Sequence, residues 1–357
     1  MGWTKALTLL VVITAVMSGC SRGVLDEREV EVRDGFAHPV GSEAPYSGRV
    51  VSSYENGQRE YEVTYREGRL HGPQTFYFES GGKKAEFRYS DGALDGEFTT
   101  WHRDGQVAVT ATLVNGQLEG EFATYFENGQ ESSVGAFEHG QPTGQWLVYR
   151  PDGLPFKDLS FSDGSLDGRC RAYHPNGEIS LEAEFADGLP AGTWTHYSSV
   201  GRRSLEYSFR EGLLHGEYRA WHGNGNLRQE CVFVEGEPTG VWSYYLSDGT
   251  DKRREVVFEE GKPYASERQW NPDGSLSVEV VFTSATSGEY VRWRWGREAE
   301  SGRVHLDSDS RTVCNEQGLE VSVVPKAHLP SMYERMKLWR PESVDGIAGD
   351  LNASRFD

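Results

Sequence analysis

Along most of this chain, apolar and polar positions recur with a period of 24 residues. Glycines mark the period at Gly48, Gly72, Gly96, Gly120, Gly144, Gly168, Gly192, Gly216 and Gly240. Counting each as position 0, position 2 is aromatic or small (Phe98, Phe122, Trp146, Cys170, Trp194, Tyr218, Trp242) and position 5 is aromatic (Trp101, Tyr125, Tyr149, Tyr173, Tyr197, Trp221, Tyr245). Positions 8 and 9 are Asn-Gly or Asp-Gly in most copies, from Asn56-Gly57 to Asp248-Gly249. A further aromatic at position 17 stands ahead of a closing glycine at position 20, as in Phe185 and Gly188. Asn-Gly and Asp-Gly suit both central residues of a type I′ turn, so each copy is expected to be strand, tight turn, strand, second turn. A fixed period of this kind is one supersecondary unit copied and stacked, each copy supplying core that its neighbour lacks.

A two-residue turn at positions 8 and 9 pairs 5 with 12, 3 with 14 and 2 with 15, and strand alternation then sorts the side chains. One face carries position 2, position 17 and the series Val63, Phe87, Ala111, Leu159, Ala183, Tyr207 and Cys231 at position 15; this is the expected core. The other carries the position-5 aromatics and a column of carboxylates at position 14: Glu62, Glu86, Asp158, Glu182, Glu206 and Glu230. The alternative is a bulge that swings both aromatics to one face. The ninth copy gains a residue after its turn, moving the acid to Glu255, and a degenerate tenth begins at Ala265 and keeps Trp270, Asp273-Gly274, Glu279 and Phe282. A partial eleventh runs from Gly288 to Trp293. The expected fold is all-β: an elongated, single-layer array of about ten 24-residue β-hairpins over residues 47–295.

The pattern G-x-aromatic-x-x-aromatic-x-x-[DN]-G, followed by an aromatic and a closing glycine, resembles the MORN repeat, specifically the bacterial variant found in antitoxin-like and lipoprotein sequences. The resemblance covers residues 47 to about 293. It implies a hairpin sheet acting in protein association or membrane apposition, as in the similar repeats of junctophilins and plant lipid kinases, and a family without a shared enzymatic activity. Members credited with lipid binding tend to be basic, and this chain is acidic.

The formal net charge over 357 residues is -19, a surface that repels nucleic acid and anionic headgroups, and no basic cluster offsets it. Hydrophobic residues make up 37% and aromatics 12%, so aromatic rings carry the packing. The amino terminus has a single charge at Lys5, an apolar stretch from Ala6 to Val16, and then Met17-Ser18-Gly19-Cys20. It is too short to span a membrane and reads as a secretory leader over residues 1–19. Its cleavage site resembles a bacterial lipobox, with Met17 in place of the usual Leu, and an incidental cysteine behind an ordinary signal peptide is the alternative. Lipidation of Cys20 would anchor the chain firmly at a bacterial cell envelope, and Ser21 after it is compatible with outer-membrane sorting. Cys170 and Cys231 occupy core slots as buried fillers, and the spacing of Cys170, Cys231 and Cys314 fits no zinc pattern, though a disulfide to Cys314 stays open.

Histidines share position 6 at His102, His174 and His222, but two-stranded steps of about 9.6 Å separate them by about 29 and 19 Å, too far for one metal ion. They read as surface residues, and His71 and His215, beside opening glycines, are farther apart still. Neighbouring carboxylates of the position-14 column stand about 10 Å apart, marginal even for an inverting glycosidase pair. A repeated acid reads first as a solvated face and second as a binding strip. No nucleophile elbow, phosphate loop, paired CxxC or HExxH occurs, so no catalytic, cofactor or metal site is expected.

Residues 20–46 are expected to form a tether, a leading strand and an N-terminal cap. Residues 296–357 are expected to form a C-terminal cap, with Arg303 to Leu306 covering the last edge, a short helix from Ser331 through Trp339, and a disordered tail from Pro341. The functional expectation is a non-enzymatic, membrane-anchored scaffold binding a protein or glycan through one face. The candidate face is Trp101, Tyr125, Tyr149, Tyr173, Tyr197, Trp221 and Tyr245 with Glu182, Glu206 and Glu230. An immunity or antitoxin-like protein that neutralises a toxic partner is the alternative, and self-association is a further form of partnership. No nucleic-acid partner is expected.

Overall fold

The computed structural model describes residues 23–259, 265–284, 287–294, 296–306, 312–315, 317 and 320–323. Among these the only helical element is a 3-10 turn, Glu27–Glu29, capped by Asp26 and Glu29 in a reciprocal capping box. The rest is an open antiparallel meander of hairpins, in each of two compact units, Met1–Gln117 and Leu118–Arg355. The all-β hairpin array read from the period is therefore the observed architecture.

The type I′ turn expected at the first turn of each copy is found at the second. At positions 8 and 9 the predicted type I′ turn does not form. His102 N–H donates to the Gln106 carbonyl at 2.8 Å, Gly105 N–H donates to the His102 carbonyl at 3.0 Å, and only Gly105 is left-handed, at φ +91°. This is the three-residue loop closed by a glycine bulge. Asp104 favours it because its Oδ1 accepts from the Gln106 N–H at 3.0 Å, a bond that holds the turn without positive φ at the acid. The type I′ turn forms at positions 19 and 20, where Asp187 (φ +49°) precedes Gly188 (φ +77°) and Glu211 (φ +50°) precedes Gly212 (φ +79°).

The glycine-bulge loop takes the hairpin one residue out of the expected register, and a second bulge at position 12 restores it. Trp101 thus faces Val107 (5 with 11), whereas Thr99 faces Thr110 and Phe98 faces Ala111, the predicted 3–14 and 2–15 pairs. Because the offsets cancel, the parity of the inner pairs stands. Positions 2, 4, 13, 15 and 17 point to one face: Trp146, Ala172, Leu181, Tyr207 and Phe185 are all buried.

Consecutive hairpins meet across a larger irregularity. Glu182 pairs with Thr195 and Glu184 with Ala191, so Gly192, Thr193 and Trp194 stand opposite Ala183 alone. The opening glycine lies inside this bulge, not in a turn, and its positive φ (+56° at Gly192) is what lets the strand step outward. The step exposes carbonyls that the position-2 side chain satisfies. Trp194 Nε1 donates to the carbonyls of Glu184 (3.0 Å) and Ala191 (3.2 Å), Trp146 to Ala136 (3.2 Å), and Trp242 to Val232 (3.3 Å). In the Gly72 copy Gln74 does the same work, accepting from Thr64 N–H at 2.9 Å and donating to its carbonyl at 3.2 Å.

The three tryptophans reveal a second period, of two hairpins. Trp146, Trp194 and Trp242 follow Pro142, Pro190 and Pro238, and each indole lies beside a small position-15 residue of the preceding copy: Gly135, Ala183 or Cys231. A Cβ on Gly135 would stand 2.1 Å from Trp146 Cδ2. Rings then contact one another along the second unit, Trp194 against Phe185, Tyr207 and Phe209, and Trp242 against Phe233 and Phe258, at centroid distances of 4.7–6.1 Å. Cys170 and Cys231 are buried and free, which answers the open question of their disulfide pairing, and burial pushes their thiols up to about 11 and about 12.

Hairpins are also tied at both ends. On the loop edge Asn128, Asn176 and Asn224 donate from Nδ2 to the carbonyls of Pro151, Ser199 and Ser247 in the next copy. The position-6 histidines are half-buried members of this edge and not free surface groups: His174 and His222 Nε2 bond to the carbonyls of Tyr197 and Tyr245, as Arg150 does to Tyr173. On the opposite edge each closing glycine donates to the carbonyl two residues ahead of its copy's opening glycine, Gly188 to Leu166 at 2.8 Å, and the Nδ1 atoms of His71 and His215 accept from Asp91 and Glu235 N–H.

At the start, Gly23–Asp26 pairs in parallel with Gly48–Ser53 and covers its edge, while a small hairpin, Val30–Arg33 and Phe36–Pro39, is held by Ala37 N–H on the Gly68 carbonyl. Past residue 294 the meander continues where a cap was expected. Arg297–Leu306 is a full strand paired with Ser287–Arg294, and Thr312–Asn315 and Glu320–Val323 follow. The segment expected to cover the last repeat edge does pair there, Arg303 with Glu289 and His305 with Ser287, and its own outer side is paired in turn by Thr312–Asn315. The leader, Cys20, the Ser331–Trp339 helix and the tail lie outside the described residues, as does the side chain of Cys314.

Two stability measurements test this packing. Gly135→Ala should destabilise by about 1–3 kcal/mol through overpacking against the indole, and a double-mutant cycle should show most of that cost removed in a Trp146→Leu background. His196 is buried, its Nε2 2.9 Å from the Tyr207 hydroxyl, and burial depresses its pKa to about 4. The folded chain binds that proton less readily than the unfolded one, so its contribution is complete above about pH 6.5 and is lost as pH falls toward 4. The urea midpoint should accordingly fall over that window by the equivalent of up to about 3 kcal/mol more in the parent than in His196→Leu.

Candidate binding face

The face opposite the core is built from positions 1, 3, 5, 14 and 16. Strand alternation places all seven position-5 rings there, each half-buried, with Trp101 in the first compact unit and Tyr125, Tyr149, Tyr173, Tyr197, Trp221 and Tyr245 in the second. The bulge that might have brought both aromatics to one face exists, at position 12, but it only cancels the turn offset, so positions 2 and 5 remain on opposite faces.

Aromatic and acid columns touch. Tyr197 Oη donates to Glu182 Oε2 at 3.0 Å and Tyr245 Oη to Glu230 Oε1 at 2.5 Å, each reaching back to the preceding copy. Burial and then the carboxylate push both phenols above their ordinary pKa, so they persist as hydrogen-bond donors. Tyr173 is raised by burial first and by Asp158 second. Trp101, with no hydroxyl, instead receives the Lys83 ammonium 5.2 Å from its ring centroid.

The carboxylates are not the bare solvated row expected of a repeated acid. Arg171 Nε lies 3.2 Å from Glu182, Arg203 lies 3.2 Å from Glu206, and Arg49, Lys83, Lys252 and Arg268 pair with Glu62, Glu86, Glu255 and Glu279. The basic partners come from position 11 or from the adjacent strand, so charge alternates over this face. Each such exposed pair contributes little to stability. Glu230 takes its hydrogen bond from Tyr245, while Arg219 turns instead to Glu217 at 2.7 Å.

Positions 1 and 16 carry a departure that the period conceals. They are mostly polar or charged in earlier copies, as in Arg49, Glu97, Glu121, Arg169 and Glu184, but in the copies opening at Gly216, Gly240 and Ala265 four of the six are valine, Val232, Val241, Val257 and Val281, with Glu217 and Ser266 staying polar. Val241 faces Val257 across the ninth hairpin, and Val232, Val241 and Val281 are exposed by 37%, 49% and 45%. Trp221, Tyr245 and Trp270 occupy position 5 in the same copies. Aligning the copies and asking where polarity changes would have found this stripe; asking what they share could not.

Among the described residues no group of three His, Cys, Asp or Glu is placed to hold a metal ion, and no helix is long and apolar enough to cross a membrane. The arrangement is suited to contact: half-buried rings with fixed hydroxyls, charge of both signs, and an apolar stripe at one end.

The family model of the MORN repeat variant matches residues 46–67, 166–187 and 214–235. Each match spans one hairpin, from two residues ahead of the opening glycine to the residue before the closing one. No curated protein matches the chain. Solved structures with some likeness include TcdB2-TccC3, 14% identical over 77% of this chain and 18% of that one with a TM-score of 0.17. Another is the Photorhabdus luminescens Tc holotoxin pore, 13% identical over 81% of this chain and 16% of that one with a TM-score of 0.15. The chain spans less than a fifth of the length of these solved chains, and likeness this slight carries no argument.

The coupling of ring and acid is testable by a double-mutant cycle. Tyr245→Phe and Glu230→Ala should show a coupling of about 1 kcal/mol in urea unfolding, as expected for a partly exposed charge-assisted hydrogen bond. Far-ultraviolet circular dichroism should stay unchanged.

Proposed function

We propose that this protein is a non-enzymatic repeat scaffold that binds a protein partner through its outer face, tethered at a bacterial cell envelope by a lipid on Cys20. The observation that carries the reading is the valine stripe of the last full copies, bordered by Trp221, Tyr245 and Trp270. Exposed apolar residues flanked by half-buried aromatics and rimmed by paired charges have the composition of an interface centre with its polar rim. The rest of the array is the spacer and support: matches to the MORN repeat variant in three places fit a repeat scaffold, and repeats of one geometry build an extended surface. The tyrosine hydroxyls, committed to glutamates, suit rigid contact and not proton transfer. The tether rests on the small-residue–Gly19–Cys20 sequence behind an apolar segment.

Proximity labelling in a native host identifies partners, and purified chain then reports their affinity. Val241→Asp and Trp221→Ala should each weaken the partner at least about tenfold, whereas Tyr125→Ala, three or more copies away, should leave it unchanged. Equal binding by Val241→Asp would place the interface elsewhere. Cys20→Ser should abolish palmitate labelling and release the chain from the membrane fraction; continued labelling would remove the tether from the proposal.

A further inference from the structure

The core face of the last copies holds a second anomaly. Positions 4 and 13, filled by Ala172, Leu181, Leu205 and Ala220 farther back, become Gln229, Tyr244, Arg254 and Gln269. Position 2, a buried tryptophan in the ninth copy, is Glu267 in the tenth, with 0% exposure. Arg254 Nε and Gln269 Nε2 each donate to Glu267 Oε1 at 2.6 Å, the Arg254 guanidinium lies 5.8 Å from the Tyr244 ring centroid, and Gln229 Nε2 reaches the Tyr244 hydroxyl at 3.4 Å. A polar network interrupts the apolar core here, where Trp242, Val256, Val278 and Val280 stay buried around it, and beside it opens a cleft of about 770 Å³.

The cleft lining includes Arg228, Arg253, Arg254 and His222 and contains no aspartate or glutamate, in a chain with 55 acidic residues against 36 basic ones. Arg254 is neutralised by Glu267. Arg228 and Arg253 are exposed and pair with no carboxylate among the described residues, unlike the basic groups that neutralise the carboxylate column on the other face. The cleft therefore keeps two uncompensated guanidinium charges, whose planar forks match a carboxylate. Tyr244 and Trp270 add aromatic surface, and Gln229, Gln269 and Asn271 add amides able to donate and accept.

The geometry points to a binding site for a carboxylate-bearing saccharide. A charged sugar acid calls for guanidinium groups, its hydroxyls for amides, and its ring face for an aromatic, and the volume suits a ligand of a few sugar rings. A peptide would need apolar pockets for anchor side chains, and apart from the aromatics only Leu246 and Pro272 supply apolar side chains in the lining. The site shares the reading of the chain as a binding array and shares Tyr245 and Trp270 with the border of the valine stripe, but none of the four valines lines it, so Val241→Asp separates the two.

The test applies the chain to a glycan array carrying uronate-containing, sialylated and neutral oligosaccharides, followed by calorimetry with the strongest carboxylated glycan and its methyl ester. The expected result is signal confined to carboxylated glycans, at least about tenfold weaker binding of the ester, and a similar loss in Arg228→Ser and Arg253→Ser. Both arginines are exposed, so these variants should keep the parent's circular dichroism, and Val241→Asp should bind the glycan normally. Absence of signal on every carboxylated glycan, equal affinity for acid and ester, or unchanged binding in both arginine variants would overturn the proposal. So would tighter binding of a tetraglutamate peptide, which would reassign the cleft to acidic protein segments.

Discussion

Most copies of this fold have to step across a defect of the same kind. Where one hairpin meets the next, three residues stand against one, and backbone carbonyls that a regular ladder would pair are left facing the core. An unpaired buried carbonyl is costly, so a side chain on the next strand that returns the hydrogen bond eases the step. Two conditions meet that need together: a glycine able to take positive φ at position 0, and a donor reaching from position 2. Tryptophan supplies both the donor and the bulk that fills the widened gap, and Gln74 supplies the donor without the ring. Where position 2 is Phe122 or Tyr218, the ring packs instead against Trp146 or against the position-17 ring of Phe233.

Stability is consequently distributed through nearest-neighbour contacts, as expected of a repeat array. Within each hairpin the two local bulges cancel, and between hairpins the asparagine and histidine bonds at the loop edge and the glycine bonds at the opposite edge hold the ladder in place. The outer face, free of that task in its last copies, carries valines where earlier copies carry polar groups. The core face of the same region admits an arginine–glutamate pair among its buried valines. Both departures fall together, at the end of the array where the repeat loses its own regularity.

The hairpins, their faces and their inner register were legible in the sequence because they depend on parity, and parity survives as long as offsets come in cancelling pairs. The conformations of the two turns were not legible in the same way. Asn-Gly satisfies a type I′ turn and a glycine-bulge loop alike, and the choice was made by side-chain bonds such as Asp104 to Gln106 N–H. Glu67, Glu211 and Glu235 at positive φ gave no compositional signal, since glutamate is a poor turn former and adopts that conformation here because the flanking strands impose it. Distance set the histidines of position 6 too far apart to share a metal ion, and the bond of His174 and His222 to the next copy is a property of stacking that a single hairpin does not contain. The strands beyond residue 294 followed from edge pairing, which continues after the sequence motif has faded.

The alternation of Trp146, Trp194 and Trp242 with Gly135, Ala183 and Cys231 sets the increment by which such a chain can change length. Loss of the single hairpin that opens at Gly216 would bring Trp242 against Tyr207, two large rings contending for one gap, and duplication of the Trp194 hairpin alone would do the same. Loss or gain of two hairpins at once leaves every indole beside a small residue. The unit of inheritance in this part of the molecule is therefore 48 residues, twice the period that the glycines display.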